Sequence, residues 1–157
     1  MMASALLACS QLPGEPLTLK ILNGWSGKPF ANVDVTLIEA SGKVGSDLLV
    51  SCILRQTKLR TKQDGSVTFN IEKPLPPRIL FDVFALRGCM PTKAYMKQNN
   101  WEFAPNQWNP EEILRNGYRE VDACLLGVAH PKFDWQAVTA APGEVVFFAL
   151  PAPRGQW

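Results

Sequence analysis

The sequence predicts a mainly β protein with one short helix, and three observations lead to this fold class. Apolar residues recur at every second position in three runs, residues 17–22, 33–39 and 67–71. Such alternation places apolar side chains on one face of a half-buried strand and polar ones on the other. Thirteen prolines and eleven glycines are spread along the chain, as in proteins whose short strands are joined by turns. Only one segment, near residue 110, carries a capped helical signal.

In the first half, the strands are expected to follow one another at short intervals. The predicted strands are residues 17–22, 33–39, 48–54, 56–62, 67–71 and 79–86. The apolar run 48–54 is interpreted as a strand covered on both faces, and the basic stretch 56–62 as an edge strand protected by its charges. Between strands, Asp64-Gly65 is a strong hairpin-turn signal. The run 79–86 is apolar at nearly every position, which predicts a central strand.

The second half combines an irregular stretch with a helix and a final strand. Residues 89–120 lack a sustained period and are interpreted as an irregular insertion. Within it, Asn109 suits the N-cap, Pro110 the first helical position and Gly117 the residue after the end, which predicts a helix over 110–116. Residues 121–128 could form a strand, and 145–150 reads as a buried terminal strand. The expected organisation is a leader or linker over 1–16, one domain over 17–150 and a tail over 151–157.

Two stretches resemble the carboxypeptidase regulatory-like, or transthyretin-like, domains. One is a strand, a turn containing Gly27-Lys28-Pro29, and a Val-x-Val-x-Leu strand at 33–37; the other is Thr-x-x-Asp-Gly-x-Val-x-Phe at 61–69. The resemblance covers residues 17–86 and implies a Greek-key β-sandwich of about seven strands, a carbohydrate-binding-like fold. Such domains are mostly non-catalytic accessory, binding or adhesion modules. From Cys89 onward the chain is similar to the tail of small bacterial exported proteins of unknown role.

The N-terminus bears on the compartment. Residues 6–9, Leu-Leu-Ala-Cys, resemble a bacterial lipobox, which predicts export and lipidation of Cys9. A full export signal needs basic residues and an apolar run of about 7–15 residues, yet the first basic residue is Lys20. Either the true start lies upstream of Met1, or the likeness is accidental and the protein is cytoplasmic. We expect an extracytoplasmic protein, attached to a membrane only through a lipid on Cys9.

Composition and motifs argue against several classes of function. The net charge is +2, and Lys and Arg are scattered, so nucleic-acid binding is not expected. His130 is the only histidine, and neither metal-ligand spacing nor a nucleophile elbow is present. We therefore predict no catalytic residue, no metal and no cofactor. His130 is interpreted as a solvent-facing loop residue.

One enzyme alternative remains, a cysteine hydrolase that uses Cys89 or Cys124. Residues 142–148, Pro-Gly-Glu-Val-Val-Phe-Phe, are similar to a strand of cell-wall cysteine peptidases. In that family a Cys followed by Ser-Gly starts a helix, and a His-Val-Gly strand follows the Phe-Phe strand. Here neither cysteine precedes Ser-Gly, and only nine residues follow Phe148, none of them His. A thiol without an adjacent base is not activated, so the chain is predicted not to be an enzyme.

The four cysteines allow a disulfide between Cys89 and Cys124, which flank the irregular stretch. This bridge would close a loop of about 35 residues and contribute roughly 3–4 kcal/mol on the chain-entropy model. Cys52 lies in an apolar run and is expected to be a free buried thiol. The alternative is that all four cysteines are reduced.

An aromatic and amide cluster in the same stretch is the predicted ligand-contact surface. Trp101, Phe103 and Trp108 are accompanied by Asn99, Asn100, Asn106 and Gln107, and flat rings with amides recognise sugars or peptides. Alternatively, the rings fill a satellite core beneath the loop. The predicted function is thus a non-catalytic exported module of the cell envelope that binds a protein partner or a glycan; its oligomeric state is left open.

Overall fold

The computed structural model describes residues 13–41, 53–83, 107–121, 133–134 and 137–151, and in these ranges the chain is mainly β. Two sheets and one short helix are formed. The strands, in chain order, are β1 (Glu15–Asn23), β2 (Asp34–Ala40), β3 (Ile53–Arg60), β4 (Ser66–Ile71), β5 (Arg78–Val83), β6 (Gln107–Trp108), β7 (Tyr118–Val121) and β8 (Glu144–Ala149). The helix, α1, spans Pro110–Asn116. Eight strands in the described ranges, one of only two residues, agree with the expected mainly β class.

Each sheet has four strands. Sheet I has the order β4-β1-β8-β7, and sheet II has the order β3-β2-β5-β6. All pairs in sheet II are antiparallel. In sheet I, β1 pairs with β4 in antiparallel fashion, whereas β8 runs parallel to both β1 and β7. The terminal strand is therefore central in its sheet, and it is buried on both faces, as its continuous apolar run predicted.

The core lies between the two sheets. Its buried side chains come from the alternating positions of β1, β2, β4 and β5, with contributions from β6, α1 and β8: Leu17, Leu19, Ile21, Val35, Leu37, Val67, Phe69, Ile71, Ile79, Phe81, Trp108, Ile113, Val145 and Ala149. The ring centroids of Phe69 and Phe81 are 5.9 Å apart. Val83 and Phe147 are partly buried against the same cluster. These contacts explain why the period-2 runs form strands, since one face of each is removed from water.

Two connections cross from sheet to sheet at one end, and Thr61 joins them. The β1–β2 and β3–β4 connections each leave one sheet and enter the other. The Thr61 hydroxyl donates to the Phe30 carbonyl at 2.7 Å and accepts from the Val33 N–H at 2.9 Å. Its own backbone N–H donates to the Val33 carbonyl at 2.9 Å. Thr61 is 2% exposed, so one buried hydroxyl ties both crossings together.

The prediction of a hairpin at Asp64-Gly65 is wrong, because the two strands that the turn connects do not pair with each other. The turn forms, with Gly65 at φ +77° and its N–H bonded to the Lys62 carbonyl. However, β3 belongs to sheet II and β4 to sheet I, so the turn is a crossing between sheets and not a hairpin within one. The reason is that β1 and β2 already provide antiparallel partners for β4 and β3.

Other strand predictions hold in part. The basic stretch is an edge strand as expected, and β5 lies between β2 and β6. Leu54, however, is 61% exposed at the start of β3, so the expectation of a strand covered on both faces is wrong at this residue. The register of the β2–β3 ladder shifts at this point, since Glu39 lies opposite Arg55 and Ala40 lies opposite Ile53, so that Leu54 is skipped. Residues 42–52, and with them Cys52, lie outside the described ranges.

The helix appears where its caps predicted it. The Asn109 side chain accepts from the Glu111 N–H at 3.0 Å, and Gly117 ends the helix at φ +69°. The prediction depended only on neighbouring residues, because the capping residues satisfy backbone donors and acceptors that the ends of a helix leave unpaired. The flanking β6 and β7 are members of sheets II and I. The prediction of an irregular insertion is therefore wrong for residues 107–120, which belong to the sandwich.

Candidate functional site

Polar side chains from three strands meet on the outer face of sheet II. Because Val35 and Leu37 face the core, their neighbours Asp34 and Thr36 face outward. The register places Asp34 opposite Arg60 of β3, and Thr36 opposite Asp82 of β5. These residues border a depression of about 340 Å³, which we call the polar basin. It is lined by Asn32, Val33, Asp34, Thr36, Lys58, Arg60 and Asp82.

The carboxylate of Asp34 is held by two cations. Arg60 Nε donates to Asp34 Oδ1 at 2.8 Å, and Lys58 Nζ lies 3.1 Å from Asp34 Oδ2. The bonds from Arg60 and then from Lys58 lower the pKa of Asp34 from 3.8 to about 2. Asp34 in turn raises the pKa of Arg60. Asp34 is therefore ionised at any physiological pH, and both of its oxygens are fixed in place.

Asp82 forms the opposite rim of the polar basin, and its surroundings differ from those of Asp34. Its side chain is exposed. Within the ranges that the structure describes, its carboxylate makes no hydrogen bond and no ion pair. The basin thus carries two cations against one carboxylate at β3 and β2. At β5 it carries a second carboxylate, which has no partner among the described residues. A ligand could bind Asp82 without first displacing a protein group.

A second ionic cluster joins the edges of the two sheets. Arg55 Nε donates to Glu39 Oε2 at 2.6 Å, Arg55 Nη1 lies 2.6 Å from Glu72 Oε1, and Arg55 Nη2 donates to the Asn70 carbonyl at 3.0 Å. Glu39 is only 5% exposed. The bonds to Glu39 and then to Glu72 raise the pKa of Arg55. Every group of this cluster is engaged by another, which indicates a structural role.

A wider groove of about 610 Å³ lies beside the start of α1. It is lined by Lys73, Pro74, Leu75, Pro76, Pro77, Asn109, Pro110 and Glu111. Its cation is already bound, since Lys73 Nζ lies 2.6 Å from Glu15 Oε1. Its amide caps the helix through Asn109. The groove therefore offers mainly proline rings and is a weaker candidate than the polar basin.

The apolar part of the outer face of sheet I is covered by residues that follow β7 in the chain and by Leu150. Leu22, Val146 and Phe148 are buried there against Phe133, Val138, Ala140 and Leu150. The fit is close at Gly27, where a Cβ atom would lie 2.5 Å from the Phe133 ring. On this face Thr18 of β1 and Thr68 of β4 are neighbours, and their hydroxyls are 2.9 Å apart.

Of the predicted site residues, only Trp108 lies in the described ranges. Cys9, Cys89, Cys124, Trp101 and Phe103 lie outside them, as does His130, so the predicted lipidation, the disulfide and most of the aromatic cluster stay predictions.

The structure corrects the expected role of Trp108. The side chain is 8% exposed, and its ring lies 5.3 Å from that of Phe81 and 6.1 Å from that of Tyr118. A buried ring cannot offer its face to a ligand, so the alternative in which the rings fill a core applies to this residue. Trp108 Nε1 is buried and has no hydrogen-bond acceptor in the described part of the chain.

Neither a metal cluster nor a membrane-crossing helix is found in the described ranges. No three His, Cys, Asp or Glu side chains there are grouped to hold an ion, and no helix there has the length and apolarity to cross a bilayer.

The residues of the polar basin were not among the predicted site residues. A partial signal existed, because Asp34 and Thr36 occupy the polar positions of an alternating strand and Lys58 and Arg60 belong to the basic stretch. Alternation indicates that such side chains face outward. It does not indicate which strands are neighbours, and so it could not bring Asp82 to the same surface.

Comparison of the chain with protein-family models, with curated proteins and with solved structures finds no match. The resemblance to carboxypeptidase regulatory-like domains therefore rests on the sequence motifs alone.

Proposed function

We propose that this protein is an exported, non-catalytic binding module of the cell envelope, and that it holds a protein partner through the polar basin. The observation that carries the proposal is the charge arrangement of this surface. Two cations and a fixed carboxylate lie on β3 and β2, and β5 carries the carboxylate of Asp82, which no described side chain binds. Exposed ion pairs contribute little to folding, about 0–1 kcal/mol, so fold stability alone gives little reason for this cluster.

The arrangement favours a partner segment that carries charges of both signs. Lys58 and Arg60 exceed Asp34 by one positive charge, so the β3 side attracts a carboxylate. Asp82 attracts a cation on the other side. Since β3 and β5 both neighbour β2, the two rims are about 10 Å apart at roughly 4.8 Å per strand spacing. Acidic and basic side chains on one extended segment can span this distance.

A protein partner is favoured over a glycan because the described lining of the basin lacks a ring. None of the described residues that line it is aromatic, and stacking on an aromatic face is a main source of affinity for sugars. Trp108, which was expected to serve as such a platform, is in the core. The compartment is supported by the lipobox-like residues 6–9 and by the likeness to modules that are mostly accessory, binding or adhesion domains.

The proposal can be tested by site-specific photo-cross-linking in the native host. A benzophenone amino acid at Thr36, inside the basin, is compared with the same group at Thr68, on the outer face of sheet I. We expect a discrete protein adduct from Thr36 only, and its loss when Asp82→Lys reverses the charge of the free carboxylate. Identical adducts from both positions, or an adduct that is unaffected by Asp82→Lys, would refute the basin as the binding surface. Binding of soluble oligosaccharides instead would favour the glycan reading.

The hydrolase alternative is tested separately with iodoacetamide. In reduced protein, a non-catalytic module should label slowly at Cys89 and Cys124 until it is denatured. Rapid labelling of either thiol in the folded protein would favour the enzyme, because only an activated thiolate reacts fast.

A further inference from the structure

Strand β3 offers an edge that no described residue covers. It is the outermost strand of sheet II and, with eight residues, the longest edge strand in the described sheets. It also carries two of the large apolar side chains that the described surface exposes, Leu54 at 61% and Leu59 at 39%. An exposed edge is a template for pairing with another strand.

The phase of the β2–β3 ladder shows which backbone groups point outward. Thr61 N–H donates to the Val33 carbonyl, so Val33 and Thr61 form a hydrogen-bonded pair. Such pairs alternate along an antiparallel ladder. Thr57, opposite Leu37, and Leu59, opposite Val35, therefore direct their backbone groups to β2. The backbone N–H and carbonyl groups of Gln56, Lys58 and Arg60 point to the open edge.

The basic side chains of β3, which would normally protect an edge, are paired with carboxylates outside β3. Arg55 is bound by Glu39 and Glu72, and both Lys58 and Arg60 are bound by Asp34. Basic side chains deter edge pairing by repulsion, and a carboxylate beside each of them weakens that repulsion.

We propose that two copies of this chain form a dimer by antiparallel pairing of β3 with β3. In a two-fold arrangement centred on Thr57, Gln56 lies opposite Lys58 of the other copy, and Arg55 lies opposite Leu59. No two like charges face each other in this register. The same surface serves both copies, as a two-fold interface requires. The two polar basins then lie side by side on one face of a continuous sheet.

The charges on β3 argue against one neighbouring register. Centring the pair on Lys58 would place the two Lys58 side chains opposite each other, and like charges directly opposite are destabilising. When the pair is centred on Thr57, Gln56 of each copy forms a backbone hydrogen-bonded pair with Lys58 of the other copy. These pairs use the backbone groups that point outward from β3. The other edges are poorer, because β6 and β7 have two and four residues, and the Asn70 carbonyl of β4 already accepts from Arg55.

The first test changes one exposed side chain in two directions. Gln56→Glu places a carboxylate opposite Lys58 of the other copy, and Gln56→Lys places a cation there, in each case twice per dimer. From cross-strand pair energies we expect the dimer dissociation constant to fall about 2- to 30-fold for Gln56→Glu and to rise by a similar factor for Gln56→Lys. Sedimentation velocity over a concentration series measures both. A wild-type protein and a Gln56→Glu variant that stay monomeric, or a dimer that ignores both changes, would overturn the proposal.

The second test determines which residues of the two β3 strands lie opposite each other. The two Thr57 residues form a non-hydrogen-bonded pair with Cα atoms about 4.5 Å apart, within the ~4.4–6.8 Å that a disulfide needs. Under mild oxidation Thr57→Cys should give a covalent dimer. Gln56→Cys, the matched control, is offset by two positions from its copy and should not cross-link above the level that the native cysteines give in the wild type. Equal cross-linking at both positions would reject this register, and none at either would reject the pairing.

Discussion

Replacing Thr61 by valine removes one hydroxyl from the point where both crossings between the sheets meet. The side chain keeps its shape and volume, so the change isolates the two hydrogen bonds. It leaves the buried Val33 N–H without its acceptor and the partly buried Phe30 carbonyl without its donor.

The magnitude follows from those two groups. A buried polar group left without a partner costs about 1–3 kcal/mol. The Phe30 carbonyl accepts no other hydrogen bond from the described residues. It is only partly buried, so the cost of leaving it unpaired is at the low end of this range. We therefore expect Thr61→Val to lower the free energy of unfolding by about 2–4 kcal/mol, against a total of roughly 5–15 kcal/mol for a domain. In urea, with m near 2 kcal/mol/M, the midpoint should fall by about 1–2 M.

Two controls separate this effect from general sensitivity. Thr61→Ser keeps both hydrogen bonds and loses one methyl group, which should cost only about 1 kcal/mol. Thr68→Val removes an exposed hydroxyl and should stay within about 0.5 kcal/mol of the wild type. If Thr61→Val unfolds at the same urea concentration as Thr61→Ser, the hydroxyl does not join the crossings and the reasoning is wrong.

Three further predictions concern the core, the basin and the cysteines. Phe81→Ala should lower the free energy of unfolding by about 3–5 kcal/mol, because its ring is 7% exposed within the core; an unchanged denaturation midpoint would contradict its burial. Asp34 should titrate by NMR with a pKa of about 2. Because this pKa is depressed in the folded state, its stabilising effect is present above 3.8 and is lost as the pH falls toward 2. Asp34→Asn should remove that part of the pH dependence, and so should not be more acid-sensitive than the wild type. Peptide mapping of unreduced protein from its native host should find Cys89 linked to Cys124, and free thiols at both positions would reject the bridge and weaken the case for export.

Local signals in the sequence were sufficient where a few neighbouring residues decide the structure. The helix over 110–116 is an example, because Asn109 and Gly117 act on backbone groups within one turn. The alternating runs likewise identified β1, β2 and β4 and the faces that they bury. In each case the signal and the structure lie within the same few residues.

The candidate site could not be predicted in this way. Its ionic groups come from Asp34, Lys58, Arg60 and Asp82 on three different strands, and no spacing in the chain indicates that those strands are neighbours. The prediction for Trp108 failed for the same reason. Its surroundings in the sequence are polar, and only the packing of Phe81 and Tyr118 around it makes the position buried.

By itself, then, the sequence determined that this is a mainly β protein with one capped helix, and which residues of the clearest strands face inward. Only the tertiary structure decided the pairing. It directed the Asp64-Gly65 turn across the two sheets and placed β8 parallel between β1 and β7. The physical reason is that alternation and capping act over a few residues. Strand order, in contrast, is decided by which distant faces can exclude water together, and that is a property of the whole chain.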